Sequence, residues 1–320
     1  MMTYSGTMTT ALGERMAHHL YLLTGQNEKY RTLIEEQQIP GLQLTQSKQE
    51  ATILLADPPL AARSVYEFPA LRWLQSTFAG VEALMQPHLR QDYQLTNVKG
   101  IFGPAITEYV LGYMIAHYRH FNLYREQQQE KSWLPHTYET LTGKTVVILG
   151  TGNIASFLAH SARNMGLVVI GVNRSGQQPE STAFHEVYAV EDIQKALAMA
   201  NIVVSILPNT ASSESLLNLQ TLSACQQVLL FNVGRGRTLK EPDLIPAIEE
   251  GAVQHAFLDV FITEPLASSH PFWSHPQITL TPHIAATSFP EQVIDIFAEN
   301  LKLWMQGQPL KYVIDFEKGY

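Results

Sequence analysis

The sequence predicts an α/β fold of doubly wound parallel sheets, divided between two domains. Three observations carry that prediction. Short apolar runs alternate with polar segments from His19 to Val98, and strand patterns alternate with helical ones from Thr145 to Thr281, the pattern of parallel strands joined by crossovers. One stretch, 144–174, reads strand, glycine turn, helix, strand without a break. Finally, 320 residues with 45% apolar side chains exceed one ordinary domain and suffice for two cores.

In the first part of the chain the apolar runs fall at 20–23, 42–45, 52–56, 71–76 and 93–96. They predict a small parallel sheet. The run at 71–77 ends in Phe78, Ala79, Gly80, Val81 and Glu82, where small residues leave backbone N–H groups accessible to a ligand carboxylate. A plain strand-to-helix turn has the same composition. Gly103 and Pro104 open a long helix with Ile106, Tyr109, Val110, Tyr113, Met114 and His117 on one face. We read it as the crossover between domains. The polar stretch 126–142, with Trp133 and Pro135, reads as a linker or arm. His117 and His120 are read as surface or core residues, and His270 and His275 receive no role.

The stretch at 144–174 carries the first chemistry. The run 145–149 leads into Gly150, Thr151, Gly152, Asn153, Ile154 and Ala155, a G-x-G-x-x-A turn, and Ile154, Phe157, Leu158, Ser161, Ala162 and Met165 then recur at helical spacing before Gly166 and a second strand at 167–172. Gly150 permits the tight bend, Gly152 lets backbone approach a pyrophosphate, and Ala155 allows helix to pack on strand. The free N–H groups and positive dipole end of the helix face that anion. This β-α-β unit predicts a dinucleotide-binding, Rossmann-like domain over 101–286. The remainder, 1–100 plus 287–320, is expected to form a discontinuous, flavodoxin-like substrate domain, because the amphipathic tail with Val293, Ile294, Phe297, Leu301 and Trp304 reads as a helix that folds back.

After the second strand stand Asn173, Arg174 and Ser175, with no carboxylate to bond an adenosine ribose. A guanidinium fork and a hydroxyl suit a 2′-phosphate instead. The expected cofactor is therefore NADP (as NADPH), with NAD as the other possibility; the plain alternative is a solvated Arg174. Further strands are predicted at 202–207, 228–233, 256–260 and 278–281, with helices at 190–199 and 244–249. Strand ends of such a sheet bind ligands. The expected cofactor set is thus Gly150, Gly152, Asn153, Ile154, Asn173, Arg174, Ser175, Leu207, Pro208, Val233 and Gly234.

Three chemically suitable residues follow three successive strand ends: Arg235 in Asn-Val-Gly-Arg-Gly, Glu264 in Glu-Pro-Leu and His283 in Pro-His-Ile-Ala. Hydride transfer to a 2-keto acid needs a cation for the carboxylate and carbonyl, which a guanidinium supplies. It also needs a proton donor, a task suited to histidine, and a carboxylate beside that histidine orients it and favours its charged form. Taken singly, each could be an ordinary surface or loop residue.

Over nearly its full length the chain resembles the NAD(P)-dependent D-isomer-specific 2-hydroxyacid dehydrogenases, through these three motifs together with Leu-Thr-Gly-Lys-Thr and the glycine turn. Within them it is most similar to glyoxylate/hydroxypyruvate reductases, through 76–81 and Arg174-Ser175. The resemblance implies that Arg235 binds and polarises substrate, that His283 is the acid/base and that Glu264 is its partner. It also implies that Asp259 lies near the nicotinamide carboxamide, that Ala79 and Gly80 take the substrate carboxylate, that Trp133 contacts substrate and that two copies pair through their cofactor domains. The implied reaction is NADPH-dependent reduction of small 2-keto acids to D-2-hydroxy acids. A reductase of D-lactate-like or bulkier keto acids stays open, as does a nucleotide-sensing, corepressor-like binding protein. Departures from the family pattern are Ala155 as third glycine, Asn201 where aspartate is frequent, and 209–214.

Charge and cysteine use narrow the partners. With 21 basic and 29 acidic residues the net charge is −8, and no basic run is present, which predicts no nucleic-acid or membrane partner. Cys225 is the single cysteine, so neither an internal disulfide nor a multi-cysteine metal site forms, and no metal is expected. The polar start, 1–11, lacks the pattern of a signal peptide, and no apolar run has the length of a membrane span; a cytoplasmic protein is expected. Since nothing follows Tyr320, the extra regulatory domains of many phosphoglycerate dehydrogenases are not expected.

Overall fold

The structure, a computed structural model, describes residues 18–180 and 183–317. The polar start read at 1–11 and the chain's last residues lie outside the described part. In chain order the elements are β1 (His18–Leu23), α1 (Asn27–Gln37), β2 (Leu42–Leu44), β3 (Ile53–Ala56), α2 (Pro58–Ser64), β4 (Trp73–Ser76), β5 (Gln94–Thr96), α3 (Phe102–Tyr118), α4 (Phe121–Gln129), β6 (Thr145–Leu149), α5 (Asn153–Asn164), β7 (Val168–Asn173), β8 (Glu186–Ala189), α6 (Ile193–Leu197), β9 (Ile202–Ser205), α7 (Leu219–Leu222), β10 (Val228–Asn232), α8 (Glu241–Glu249), β11 (Val253–Leu258), β12 (Ile278–Leu280) and α9 (Pro290–Met305). The chain divides into two compact units, Met1–Lys99 with Ser288–Tyr320, and Gly100–Thr287.

The first unit holds a parallel sheet of order β2-β1-β3-β4-β5. Its central strands β3 and β4 are buried along their whole length, as expected where both faces of a parallel sheet are covered. Helix α9 completes this core with Val293, Ile294, Phe297 and Leu301, all buried. Trp73 of β4 stacks on Phe297 at 5.3 Å and donates its indole N–H to Thr96 Oγ1 at 2.9 Å. Asn300 of α9 is fully buried; it donates to Gln75 Oε1 and accepts from Lys311 N–H.

The second unit holds a parallel sheet of order β12-β11-β10-β9-β6-β7-β8. The order reverses between β6 and β9, so the crevice at their carboxyl ends is the expected ligand position. Strands β9 and β10 are wholly buried. Helix α5 buries Ala155, Leu158, Ala159 and Ala162, the i, i+3, i+4 spacing of one face.

Three elements differ from the sequence reading. Edge strand β8 has no fully buried residue, so it lacks the apolar run that betrays a central strand. The arm read from 126 is helical as far as Gln129, within α4, whose composition is polar because it buries Gln127 alone. The helix expected over 190–199 is a 3-10 turn, Val190–Asp192, followed by the short α6.

Candidate functional site

At the end of β6, Gly150 adopts φ +103°, a conformation in which side-chain-bearing residues are strained. Gly152 is the N-cap of α5, and no side chain caps this helix. A Cβ at Gly152 would meet nothing within 4 Å. The first-turn N–H groups of α5 have no partner within the helix and no side-chain cap, and the glycine turn beside them is uncrowded at Gly152. This geometry fits a dinucleotide pyrophosphate, with Asn153 and Ile154 contributing the opening amides.

At the end of β7, Asn173 is a turn builder. Its Oδ1 accepts from Ser175 N–H at 3.1 Å and Gly176 N–H at 2.7 Å, while Nδ2 donates to Thr151 Oγ1 at 3.0 Å and to the Gln177 carbonyl at 2.8 Å. The turn after β7 is thereby tied to the glycine turn after β6. Arg174 and Ser175 stand exposed on it.

After β10 the chain runs through Val233 and Gly234 to Arg235, which is half-buried. Three donors converge on the Arg235 carbonyl: Asn232 Nδ2 at 3.1 Å, Thr238 Oγ1 at 2.8 Å and Thr238 N–H at 3.2 Å. Arg235 Nη1 donates to the Gly234 carbonyl at 2.9 Å. At Gly236 a Cβ would lie 2.0 Å from the Phe261 carbonyl carbon. The Arg235 loop thus packs backbone against backbone on the loop that follows β11.

That second loop carries Glu264. Its Oε2 lies 2.8 Å from His283 Nδ1, and its Oε1 accepts Phe261 N–H at 2.9 Å. His283 follows β12 and has φ +55°, an uncommon conformation for a non-glycine residue. Asp259, 2% exposed, explains how it is held. Its carbonyl accepts His283 N–H at 2.9 Å, and its carboxylate accepts Ile284 N–H at 2.8 Å, Ala285 N–H at 2.9 Å and Thr281 Oγ1–H at 2.6 Å. Thr281 Oγ1 in turn meets Tyr109 Oη at 2.7 Å. Burial, the largest influence, pushes the Tyr109 phenol above its usual range.

The second unit therefore brings together the glycine turn, Arg235, Glu264, His283 and Asp259 at the carboxyl ends of its strands. Leu207, half-buried, packs near Gly150, and Pro208 is exposed beside it. Within the first unit, Asn97 Nδ2 donates to the Ala79 carbonyl at 2.8 Å, while Ser76 Oγ bonds both Phe78 N–H and the Phe78 carbonyl. These bonds give the Ala79–Gly80 turn a defined shape. Trp133 is 96% exposed, and His117 and His255 lie along α3 and the first half of β11, away from the strand ends. Sequence reasoning missed Thr238, Thr281 and Asn97, whose only sequence signal is a short polar side chain beside a strand end.

The family model of the D-isomer specific 2-hydroxyacid dehydrogenase, NAD binding domain, matches residues 111–285. Glyoxylate/hydroxypyruvate reductase A of Serratia proteamaculans is 32% identical over 279 residues, covering 83% of this chain and 88% of the relative. A D-isomer specific 2-hydroxyacid dehydrogenase family protein from Aeromonas salmonicida is 40% identical with a TM-score of 0.89, covering 94% of this chain and 99% of that one. The NADPH-dependent glyoxylate/hydroxypyruvate reductase of Sinorhizobium meliloti, solved with NADP and sulfate, shares the fold at 22% identity and a TM-score of 0.82, covering 95% and 100% of the two chains. The chain belongs to the D-isomer specific 2-hydroxyacid dehydrogenases. It is an NAD(P)-dependent oxidoreductase of that family, and among the described residues no helix is long and apolar enough to cross a membrane.

Proposed function

We propose that the protein is an NADPH-dependent reductase of small 2-keto acids of the glyoxylate or hydroxypyruvate type, giving the D-hydroxy acid where a stereocentre forms. The observation that carries this reading is the Glu264–His283 pair at 2.8 Å, on a loop packed against the Arg235 loop through Gly236. Arg235 holds the substrate carboxylate and polarises the ketone. His283 presents Nε2 to the nascent alkoxide as proton donor, because Nδ1 is committed to Glu264. Glu264 fixes the ring's orientation through its 2.8 Å contact with Nδ1, and Asp259 holds the loop that presents it. Bound NADPH supplies the hydride, and the glycine turn, Arg174 and Ser175 are the groups we assign to its phosphates.

Within the first unit, the Ala79–Gly80 turn is the element we assign to the substrate carboxylate. The short keto acid is favoured by the names of the curated relatives, glyoxylate/hydroxypyruvate reductase A in Serratia, Yersinia and Photorhabdus. A second copy is expected to pair with the cofactor-binding unit, where Phe121, Trp133, Leu134 and Tyr138 are exposed. A cytoplasmic location fits a chain whose single cysteine, Cys225, allows no internal disulfide.

The test is NADPH oxidation with a panel of short 2-keto acids, repeated with Arg235→Ala. Turnover of glyoxylate or hydroxypyruvate, falling by roughly a hundred-fold or more in the variant, is expected where carboxylate clamp and polarising group are lost together. No turnover across the panel, with NADPH still bound, would overturn the small-keto-acid reading.

A further inference from the structure

We propose that Glu241 is a positioning residue for the proton-transfer pair: its carboxylate holds the segment carrying Glu264 in register with the loop carrying Arg235. The inference rests on the roles given to Arg235, Glu264 and His283 above.

Glu241 opens α8, directly after the Arg235 loop and its 3-10 turn Gly236–Thr238. The base on which it stands is fixed, since Lys240 N–H bonds the Leu217 carbonyl at 2.9 Å and Asp243 accepts Leu219 N–H at 3.0 Å. The Glu241 side chain is only 16% exposed. Its Oε1 accepts Ile262 N–H at 2.8 Å, and the preceding amide, Phe261 N–H, is taken by Glu264 Oε1 at 2.9 Å. Two glutamates, one from each loop, thus hold consecutive amides of a single segment.

The other oxygen, Oε2, faces His270 Nε2 at 3.6 Å. His270 Nδ1 accepts Phe272 N–H at 3.4 Å, which leaves a proton on Nε2 toward Glu241. Oε1 is therefore committed to the Ile262 amide while Oε2 points toward His270, so the contact Glu241 makes with the site runs through the segment that carries Glu264. Ile262, Thr263, Glu264 and Pro265 are all exposed. Side-chain burial does little to place them, so hydrogen bonds to the backbone do the holding. Without the Ile262 bond the segment would be tied at Phe261 by Glu264 itself, the residue that must stay aimed at His283 Nδ1.

An acid in the first turn of a helix also stabilises it through the dipole, and two substitutions separate this from positioning. Glu241→Asp keeps the charge but shortens the reach by one methylene, whereas Glu241→Gln keeps the acceptor and removes the charge. Positioning predicts that Glu241→Asp lowers kcat by on the order of ten-fold or more. The keto-acid KM, and NADPH affinity read by fluorescence, stay within about two-fold, the mark of an interaction made only in the transition state. Glu241→Gln recovers most of the turnover. The reverse pattern, an active Asp variant and an impaired Gln variant, overturns the proposal.

A double-mutant cycle supplies the second measurement. In a Glu264→Ala background, Glu241→Asp should cost no further turnover, because it acts through a group already gone; additive losses overturn it. Thermal unfolding of each variant confirms that the losses belong to folded protein. If Glu264→Ala cripples the enzyme while Glu241→Asp does not, this inference alone fails; if Glu264→Ala keeps full turnover, the reading of the pair fails with it.

Discussion

Glu264 divides its two oxygens between His283 and its own loop, Oε2 lying 2.8 Å from His283 Nδ1 and Oε1 accepting Phe261 N–H at 2.9 Å. The same carboxylate therefore orients the imidazole and anchors itself. Glu264→Ala should lower kcat by on the order of a hundred-fold, the scale of a lost acid/base contribution. Glu264→Gln should fall less, since an amide oxygen can still accept from one of the two donors. Steady-state kinetics with the best keto acid decides this, and an alanine variant with native kcat would remove Glu264 from the mechanism.

Cofactor choice is assigned to one exposed residue. Arg174 follows β7 on a turn built by Asn173, whose amide is committed to Ser175, Gly176, Thr151 and Gln177. Arg174→Ala should leave the turn intact and remove only the cation. Charge-assisted hydrogen bonds contribute about 1.5–3 kcal/mol, so kcat/KM for NADPH should drop roughly ten- to a hundred-fold while that for NADH changes little. Parallel losses with both cofactors would show that Arg174 does not read the 2′-phosphate.

Much of the fold was legible because its strands are buried on both faces. Val228, Leu229, Leu230 and Phe231 form an unbroken apolar run in β10, and such runs need no neighbour to be recognised. Edge strand β8, with Glu186 exposed and the rest half-buried, has no such signature. At the site, Arg235, Glu264 and His283 were legible because each closely follows a strand end and has a side chain suited to the chemistry. Glu241, Thr281 and Tyr109 act through partners remote in sequence, namely Ile262 and, for the chain from Tyr109 through Thr281, Asp259. No periodicity encodes a hydrogen bond between loops. Asn173 was legible by position alone, and the structure adds that its amide is engaged by the turn itself.

Gly236 is where the two loops of the site touch. A Cβ there would fall 2.0 Å from the Phe261 carbonyl carbon and 2.1 Å from its oxygen, and backbone atoms cannot swing aside as a flexible side-chain end can. Gly236→Ala should destabilise the protein by about 1–3 kcal/mol, the usual range for overpacking, and should reduce turnover further by displacing Arg235 relative to Glu264. Urea unfolding with parallel kinetics provides the check; an alanine variant matching the native protein in both would mean that the loops are not packed as described.

The last prediction concerns acid stability rather than catalysis. His255, in β11, has its pKa pushed down from 6.5 to about 4, chiefly by burial and then by the nearby His117 and His275. It is therefore neutral in the folded protein at pH values where the unfolded chain already binds a proton. The unfolded state gains protons first as pH falls, so the stability in question is complete above about pH 6.5 and is lost progressively toward pH 4. Allowing for its partial solvent access, the loss is on the order of 1–2 kcal/mol. His117, lowered mainly by burial, adds in the same direction. Because His255 Nε2 bonds Thr279 Oγ1 at 2.8 Å, glutamine can retain that contact without titrating. Urea midpoints between pH 4 and 7 should consequently fall more steeply for the native protein than for His255→Gln, with the two converging in slope above pH 6.5. Equal slopes throughout the acid range would show that His255 is not held neutral by the fold.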